Sequence, residues 1–115
     1  MSANFAVIDC ETTGFGNADR IIEFAIVLLD SETLETVDEF DTLINPLRDV
    51  GKTDIHGITA TMLSAAPTMN EVIGRIAEKI DNTVLVAHSL PFDSRMLTNE
   101  CDRLSVKFNA GIGVC

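Results

Sequence analysis

The stretch Phe5-Ala6-Val7-Ile8-Asp9-Cys10-Glu11-Thr12-Thr13-Gly14 is an apolar run that stops at two acids, two threonines and a glycine. Its apolar part reads as a buried strand over about residues 4–10. Side chains alternate between the faces of a strand, so Asp9 and Glu11 project from the same face at its C-terminal end. Two carboxylates repel, and burying such a pair beside an apolar run is costly unless a cation neutralises it. Hard divalent ions such as Mg2+ or Mn2+ take carboxylate oxygens. The following Thr12-Thr13-Gly14 supplies hydroxyls and a flexible turn through which backbone N–H groups can approach a ligand. Taken alone, Asp-x-Glu reads more simply as a strand that ends in a solvated polar turn.

Downstream the punctuation is regular. The turn Gly14-Phe15-Gly16-Asn17 leads to residues 21–29, apolar and partly β-branched, which read as a second strand. After the turn Asp30-Ser31-Glu32-Thr33, residues 35–45 interleave Val37, Phe40, Leu43 and Ile44 with acids and threonines. That pattern suits a half-exposed strand near a sheet edge, with the acids of residues 35–41 on a solvated face and Pro46 as its end. Turns this short join antiparallel neighbours, since a parallel pair needs a crossover of about a dozen residues or more. The first half is therefore an antiparallel meander.

The second half changes period. Thr68 and Glu71 form a capping box, and Val72, Ile73, Ile76, Ala77 and Ile80 recur at helical spacing, which predicts a helix over residues 69–81. Thr83-Val84-Leu85-Val86-Ala87 is a short apolar run, as expected of a parallel strand covered on both faces. Pro91, Phe92 and Asp93 open a second helix whose apolar face includes Met96, Leu97 and Leu104. The order is that of an α/β fold with a mixed sheet. In such sheets ligands collect beyond the C-terminal ends of the central strands. If the first and fourth strands are neighbours, Asp9, Glu11 and Asp93 converge there.

Composition bounds the class. A chain of 115 residues is one domain, with hydrophobic residues at 46% and no enrichment in Gly or Pro that would signal disorder. No apolar run is long enough to span a membrane and no signal-peptide pattern opens the chain, so a cytoplasmic protein without a membrane partner is expected. Cys10, Cys101 and Cys115 form no Cys-x-x-Cys pair and read as buried thiols. Lys and Arg number 8 against 18 acids, a net charge of −10 that disfavours non-specific binding to duplex nucleic acid. It is compatible with gripping one or two nucleotides through metal ions and backbone donors.

These residues resemble the DEDDh 3′→5′ exonucleases, the proofreading epsilon-subunit type of the ribonuclease H-like fold. Asp9-Cys10-Glu11-Thr12-Thr13-Gly14 matches the first motif of that family, Ile55-His56-Gly57-Ile58-Thr59 its His-Gly-Ile loop, and Ala87-His88-Ser89-Leu90-Pro91-Phe92-Asp93 its second motif. The second motif usually carries Asn where Ser89 stands here. An Asp-x-Asp phosphatase, the rival class, needs an Asp at the position of Glu11.

The resemblance implies a ribonuclease H-like mixed sheet of a three-strand meander followed by a parallel strand and helices, all within one exonuclease domain over residues 1–115. It implies two Mg2+ or Mn2+ ions, with Asp9 bridging both, Glu11 on the ion that activates water and Asp93 on the other. Thr12, Thr13 and Gly14 would meet the 3′-terminal nucleotide of single-stranded DNA or RNA, and Ile55, His56 and Phe92 would line its sugar and base. Nucleoside 5′-monophosphates would be released, and DNA polymerase subunits become expected partners. His88 is not the general base of the family and reads as structural. The third motif, a His followed five residues later by an Asp, is expected beyond Cys115, with residues 111–115 opening a fifth strand. The fold would then be C-terminally incomplete and would leave the outer edge of the fourth strand, Thr83–Ala87, open to pairing in a homodimer. An alternative function follows, that of a catalytically inactive fragment that binds nucleic acid or protein.

Overall fold

The computed structural model describes residues 3–48 and 57–112, the side chain of Ile112 excepted. Ile55 and His56 of the expected substrate loop and residues 113–115 lie outside the described residues. Five strands form one sheet in the order β3-β2-β1-β4-β5. They are β1 (Phe5–Thr12), β2 (Ile21–Leu29), β3 (Thr36–Leu43), β4 (Val84–Val86) and β5 (Gly111–Ile112). The helices are α1 (Ala60–Leu63), α2 (Met69–Ile80) and α3 (Leu90–Arg103). The first three strands are the expected meander, with β1 antiparallel to β2 and β2 antiparallel to β3. The chain then crosses over through α2 so that β4 lies parallel to β1, and through α3 so that β5 lies parallel to β4.

β1 runs two residues further than its apolar stretch suggests. Asp9 pairs with Ala25 and Glu11 with Glu23, so ladder hydrogen bonding carries the acidic residues into the strand. Alternation along β1 splits the molecule into two unlike faces. Ala6, Ile8, Cys10 and Thr12 are buried, while Phe5, Val7 and Glu11 are half-buried and Asp9 is exposed. On the first of these faces Ala6, Ile8, Phe24, Ile26, Leu85 and Ala87 join α2 and α3 in one apolar cluster.

The expected helix over residues 69–81 is Met69–Ile80, and all five apolar positions named from its period are buried. The capping box is closed by Glu71, whose Oε1 accepts from the backbone N–H of Thr68 at 3.0 Å and from its hydroxyl at 3.1 Å. In α3, Pro91 occupies the first turn, where a missing N–H costs nothing. Met96 and Leu97 are fully buried and Leu104 packs at the border of the cluster.

Three expectations change. β4 is not covered on both faces, since Leu85 is buried but Val84 and Val86 are only half-buried. Leu85 joins residues of α2 and α3 in the apolar cluster, and Val84 and Val86 do not. The outer edge of β4 is not open either, because Val84 pairs with Gly111 and Leu85 with Ile112, and Gly111 N–H donates to the Thr83 carbonyl at 2.8 Å. That removes most of the free edge on which pairing with a second copy was expected. The short α1 was not anticipated. Thr59 caps it through its hydroxyl, and Leu63 joins Ile22 and Ile58 in a second small cluster. Ile58 of the His-Gly-Ile loop is thus a core residue, and Gly57 before it holds a left-handed backbone at φ 72° that glycine tolerates. Among the described residues no helix is long and apolar enough to cross a membrane.

Ile76 is fully buried where α2 meets the sheet, so its side chain tests this packing. Ile76→Val should lower the unfolding free energy by about 0.5–1.5 kcal/mol and Ile76→Ala by about 2–5 kcal/mol, read from urea melts.

Candidate active site

The C-terminal end of β1 carries the candidate site. Register brings four carboxyl groups onto the open face of the sheet: Asp9 and Glu11 from β1, Glu23 opposite Glu11, and Asp41 of β3 opposite Ala25. Burial pushes the Glu23 carboxyl up to about 7, helped by a hydrogen bond with Asp41 and by the charges of Asp41, Glu11 and Asp9. A protonated Glu23 relieves repulsion in this acidic patch.

Asp93 stands at the start of α3 and is buried. β1 and β4 are neighbours, as the convergence of the three acids required, and this brings the start of α3 to the end of β1. The Oδ1 of Asp93 accepts from Cys10 Sγ at 2.9 Å, and backbone N–H groups of Cys10 and Ser89 also donate to the carboxyl. Burial pushes the Asp93 carboxyl above its ordinary range, the charge of Asp9 adds to this, and the Cys10 thiol opposes it. Burial, followed by the bond to Asp93, pushes the Cys10 thiol far up, so it stays protonated as the donor.

Carboxylate oxygens are the donors that a hard divalent ion takes. In kind the three acids fit such an ion. Among the described residues no group of three or more His, Cys, Asp or Glu side chains is arranged to hold a metal ion. Cys10 lies one residue along from Asp9 and Glu11, projects from the opposite face, and donates its thiol proton to Asp93.

The turn after β1 is closed internally. The Thr12 hydroxyl donates to the Gly14 carbonyl at 2.6 Å. The Thr13 hydroxyl donates to Asp19 Oδ1 at 2.7 Å and accepts from Arg20 N–H at 3.0 Å. Asp19 also accepts from Gly16 N–H at 2.9 Å, and these two donors hold its carboxyl below the usual range. A Cβ at Gly14 would lie 2.7 Å from Asp19 Oδ2, so only glycine lets that carboxylate close the turn. Phe92 is half-buried, with the exposed Phe15 edge-on at 5.7 Å between centroids and the Arg95 guanidinium 5.6 Å from its centroid. His88 is exposed in the segment before α3.

Residues that local sequence did not single out fix this turn. Glu100 of α3 is fully buried and accepts from Arg20, Arg103 and the Ile21 N–H. Arg95 and Arg103 donate to carbonyls of the turn. Only the spacing of Glu100 and Arg103 on one helix was visible beforehand; Arg20 lies 80 residues from Glu100.

A mixed sheet in the order β3-β2-β1-β4-β5 is the architecture of the ribonuclease H-like fold. Residues 6–110 match the RNase_T family, described as exonuclease, and the chain belongs to that family. It is 39% identical over 97 residues to a DNA polymerase III subunit epsilon-like protein of Rhodobacter capsulatus, covering 81% of this chain and 14% of that protein. It is 37% identical over 99 residues to a PolC-type DNA polymerase III of Thermotoga petrophila, covering 84% of this chain and 7% of that one. The chain thus corresponds to a small part of either relative. Among solved structures, Escherichia coli exonuclease I in complex with a dA16 oligonucleotide superposes with a TM-score of 0.81 at 22% identity, over 92% of this chain and 25% of that one. Another exonuclease I structure gives a TM-score of 0.84 at 19% identity, over 98% and 28% of the two chains. At these identities the likeness speaks for the fold.

The raised Glu23 carboxyl has a consequence for stability. Between pH 4.5 and about 7 the folded chain keeps a proton that the unfolded chain has released, so stability falls as pH rises through that window. The lowered carboxyls of Asp19, Asp30, Asp38 and Glu71 act below it and do not mask the fall. Urea melts should show lower stability at pH 8 than at pH 5. Glu23→Gln, which stays neutral, should flatten the difference by about 1 kcal/mol or less, since the site is open to solvent.

Proposed function

We propose that this chain forms part of the catalytic domain of a metal-dependent 3′→5′ exonuclease, which hydrolyses the terminal phosphodiester of single-stranded DNA or RNA and releases nucleoside 5′-monophosphates. The observation that supports it best is the placement of Asp9 and Glu11 on one open face at the end of β1, with Asp93 at the start of the neighbouring α3, inside a chain of the exonuclease family. Mg2+ or Mn2+ suits these oxygen donors, and when bound such ions supply charge neutralisation and an activated water. Asp9, Glu11 and Asp93 are the residues that would hold them.

The other roles fall to groups that need no basic footprint. The turn hydroxyls of Thr12 and Thr13 are engaged internally, so the contribution of Thr12, Thr13 and Gly14 to a terminal nucleotide is a backbone surface of fixed shape. Phe92 offers an aromatic ring for sequence-tolerant contact, with Ile55 and His56 assigned alongside it. The epsilon-like and PolC-type relatives make DNA polymerase subunits the partner class to test first, and a cytoplasmic setting goes with that reading.

A second function, that of an inactive binding module, is favoured by one observation: Asp93 is tied to Cys10 and the described residues gather no metal-holding group. Release of 5′-mononucleotides from single-stranded DNA and RNA, with Mg2+ or Mn2+, separates the two. Under the first proposal Asp9→Ala and Glu11→Ala each lower release by about 100-fold or more, the scale of a positioned catalytic group. Activity that survives both substitutions overturns that proposal. A chain that binds the oligonucleotide but releases no nucleotide favours the second.

A further inference from the structure

Four of the chain's eight basic residues, Arg20, Arg48, Arg95 and Arg103, converge on the single turn between β1 and β2 in a molecule of net charge −10. Scattered surface arginines in so acidic a chain would be expected to pair with acids across its whole surface. Here three of the four, Arg48, Arg95 and Arg103, reach for backbone. Arg95 Nη2 donates to the Phe15 carbonyl at 2.8 Å and Nη1 to Asn17 Oδ1 at 2.8 Å. Arg103 Nη2 donates to the Asn17 carbonyl at 2.7 Å and more weakly to that of Asp19 at 3.4 Å. Arg48 Nη1 donates to the Ala18 carbonyl at 2.7 Å.

Glu100 ties these groups to the sheet. Its carboxylate is wholly buried, and it accepts from Arg20 Nε at 2.8 and 3.1 Å, from Ile21 N–H at 3.0 Å and from Arg103 Nη1 at 2.7 Å. A buried carboxylate is tolerated only when its oxygens are filled in this way, so the position of α3 and that of the turn are fixed together. The same helix carries Asp93 and Phe92 in its first turn. One rigid element therefore holds one end of the candidate site and fastens the loop that borders the other.

We infer that Arg95, Glu100 and Arg103 are positioning residues, which hold the β1–β2 turn in the one shape that receives a terminal nucleoside 5′-monophosphate. This rests on the nucleotide-binding role proposed above. A turn that had to be ordered on binding would lose affinity to its own conformational entropy, and a turn already fastened does not. Three of the turn's carbonyls, those of Phe15, Asn17 and Ala18, have a guanidinium partner within 2.8 Å, more than two loosely joined strands require.

Backbone amide exchange and nucleotide titration test it on the full chain, with Arg95→Gln and Arg103→Gln. Both arginines are partly solvent-exposed, so these variants are expected to fold, whereas Glu100→Gln strikes the buried centre and serves as the severe case. The N–H groups of Thr13 and Gly16, bonded within the turn, report on its order. The probe is thymidine 5′-monophosphate with Mn2+, against Mn2+ alone. In both variants exchange at Thr13 and Gly16 should quicken, thymidine monophosphate affinity should fall about 10-fold, as for a lost hydrogen bond to a charged group, and the affinity for Mn2+ alone should stay unchanged. Unchanged exchange overturns the clamp. Faster exchange with unchanged nucleotide affinity overturns its role in binding. If the unaltered chain binds no thymidine monophosphate, the nucleotide role of the site fails, and with it the purpose given to the clamp, whichever way the exchange result falls.

Discussion

The side chains of β1 point alternately to a face covered by helices and to a face that is not, and the position of every candidate residue follows from that alternation. Ala6, Ile8 and Cys10 face α2 and α3, where the apolar cluster is built. Val7, Asp9 and Glu11 face the other way, with Val27, Ala25 and Glu23 of β2 opposite them. A shift of one residue in register would bury the two acids in the core and expose Ile8, so the apolar pattern of β1 fixes the acidic face as firmly as it fixes the core.

The electrostatics divide along the same line. The open face gathers Asp9, Glu11, Glu23 and Asp41, and part of the repulsion is relieved by a proton on Glu23. At the end of the sheet, Arg20, Arg95 and Arg103 surround the turn and the buried Glu100. The net charge of the chain conceals this arrangement, because an excess of acids overall coexists with a local concentration of guanidinium groups beside the strand that bears Asp9 and Glu11. Weak overall attraction to nucleic acid and a locally ordered loop at the strand end are therefore compatible.

Cys10 shows how one side chain can change what a motif does. Its neighbours Asp9 and Glu11 carry the resemblance to the exonucleases, but its own thiol lies on the opposite face and bonds to the acid of the second motif. An apolar residue there would leave Asp93 buried without that donor. The thiol adds to the backbone donors of Cys10 and Ser89 in satisfying the buried carboxyl.

The sequence by itself determined the meander, the parallel return of the fourth strand, the two long helices and the acid pair on one strand face, because each is written in a local period, a cap or a turn. It also carried the family, since the motifs are short runs of adjacent residues. What only the tertiary structure decided are contacts between residues distant in the chain. Arg20 meets Glu100, Arg95 meets the Phe15 carbonyl and Cys10 meets Asp93 across 80, 80 and 83 residues. The half-open face of β4 belongs with them, since burial there depends on which elements pack over the sheet and not on the apolar run itself. Period and composition record what a segment prefers; they do not record which partner the folded chain brings to it.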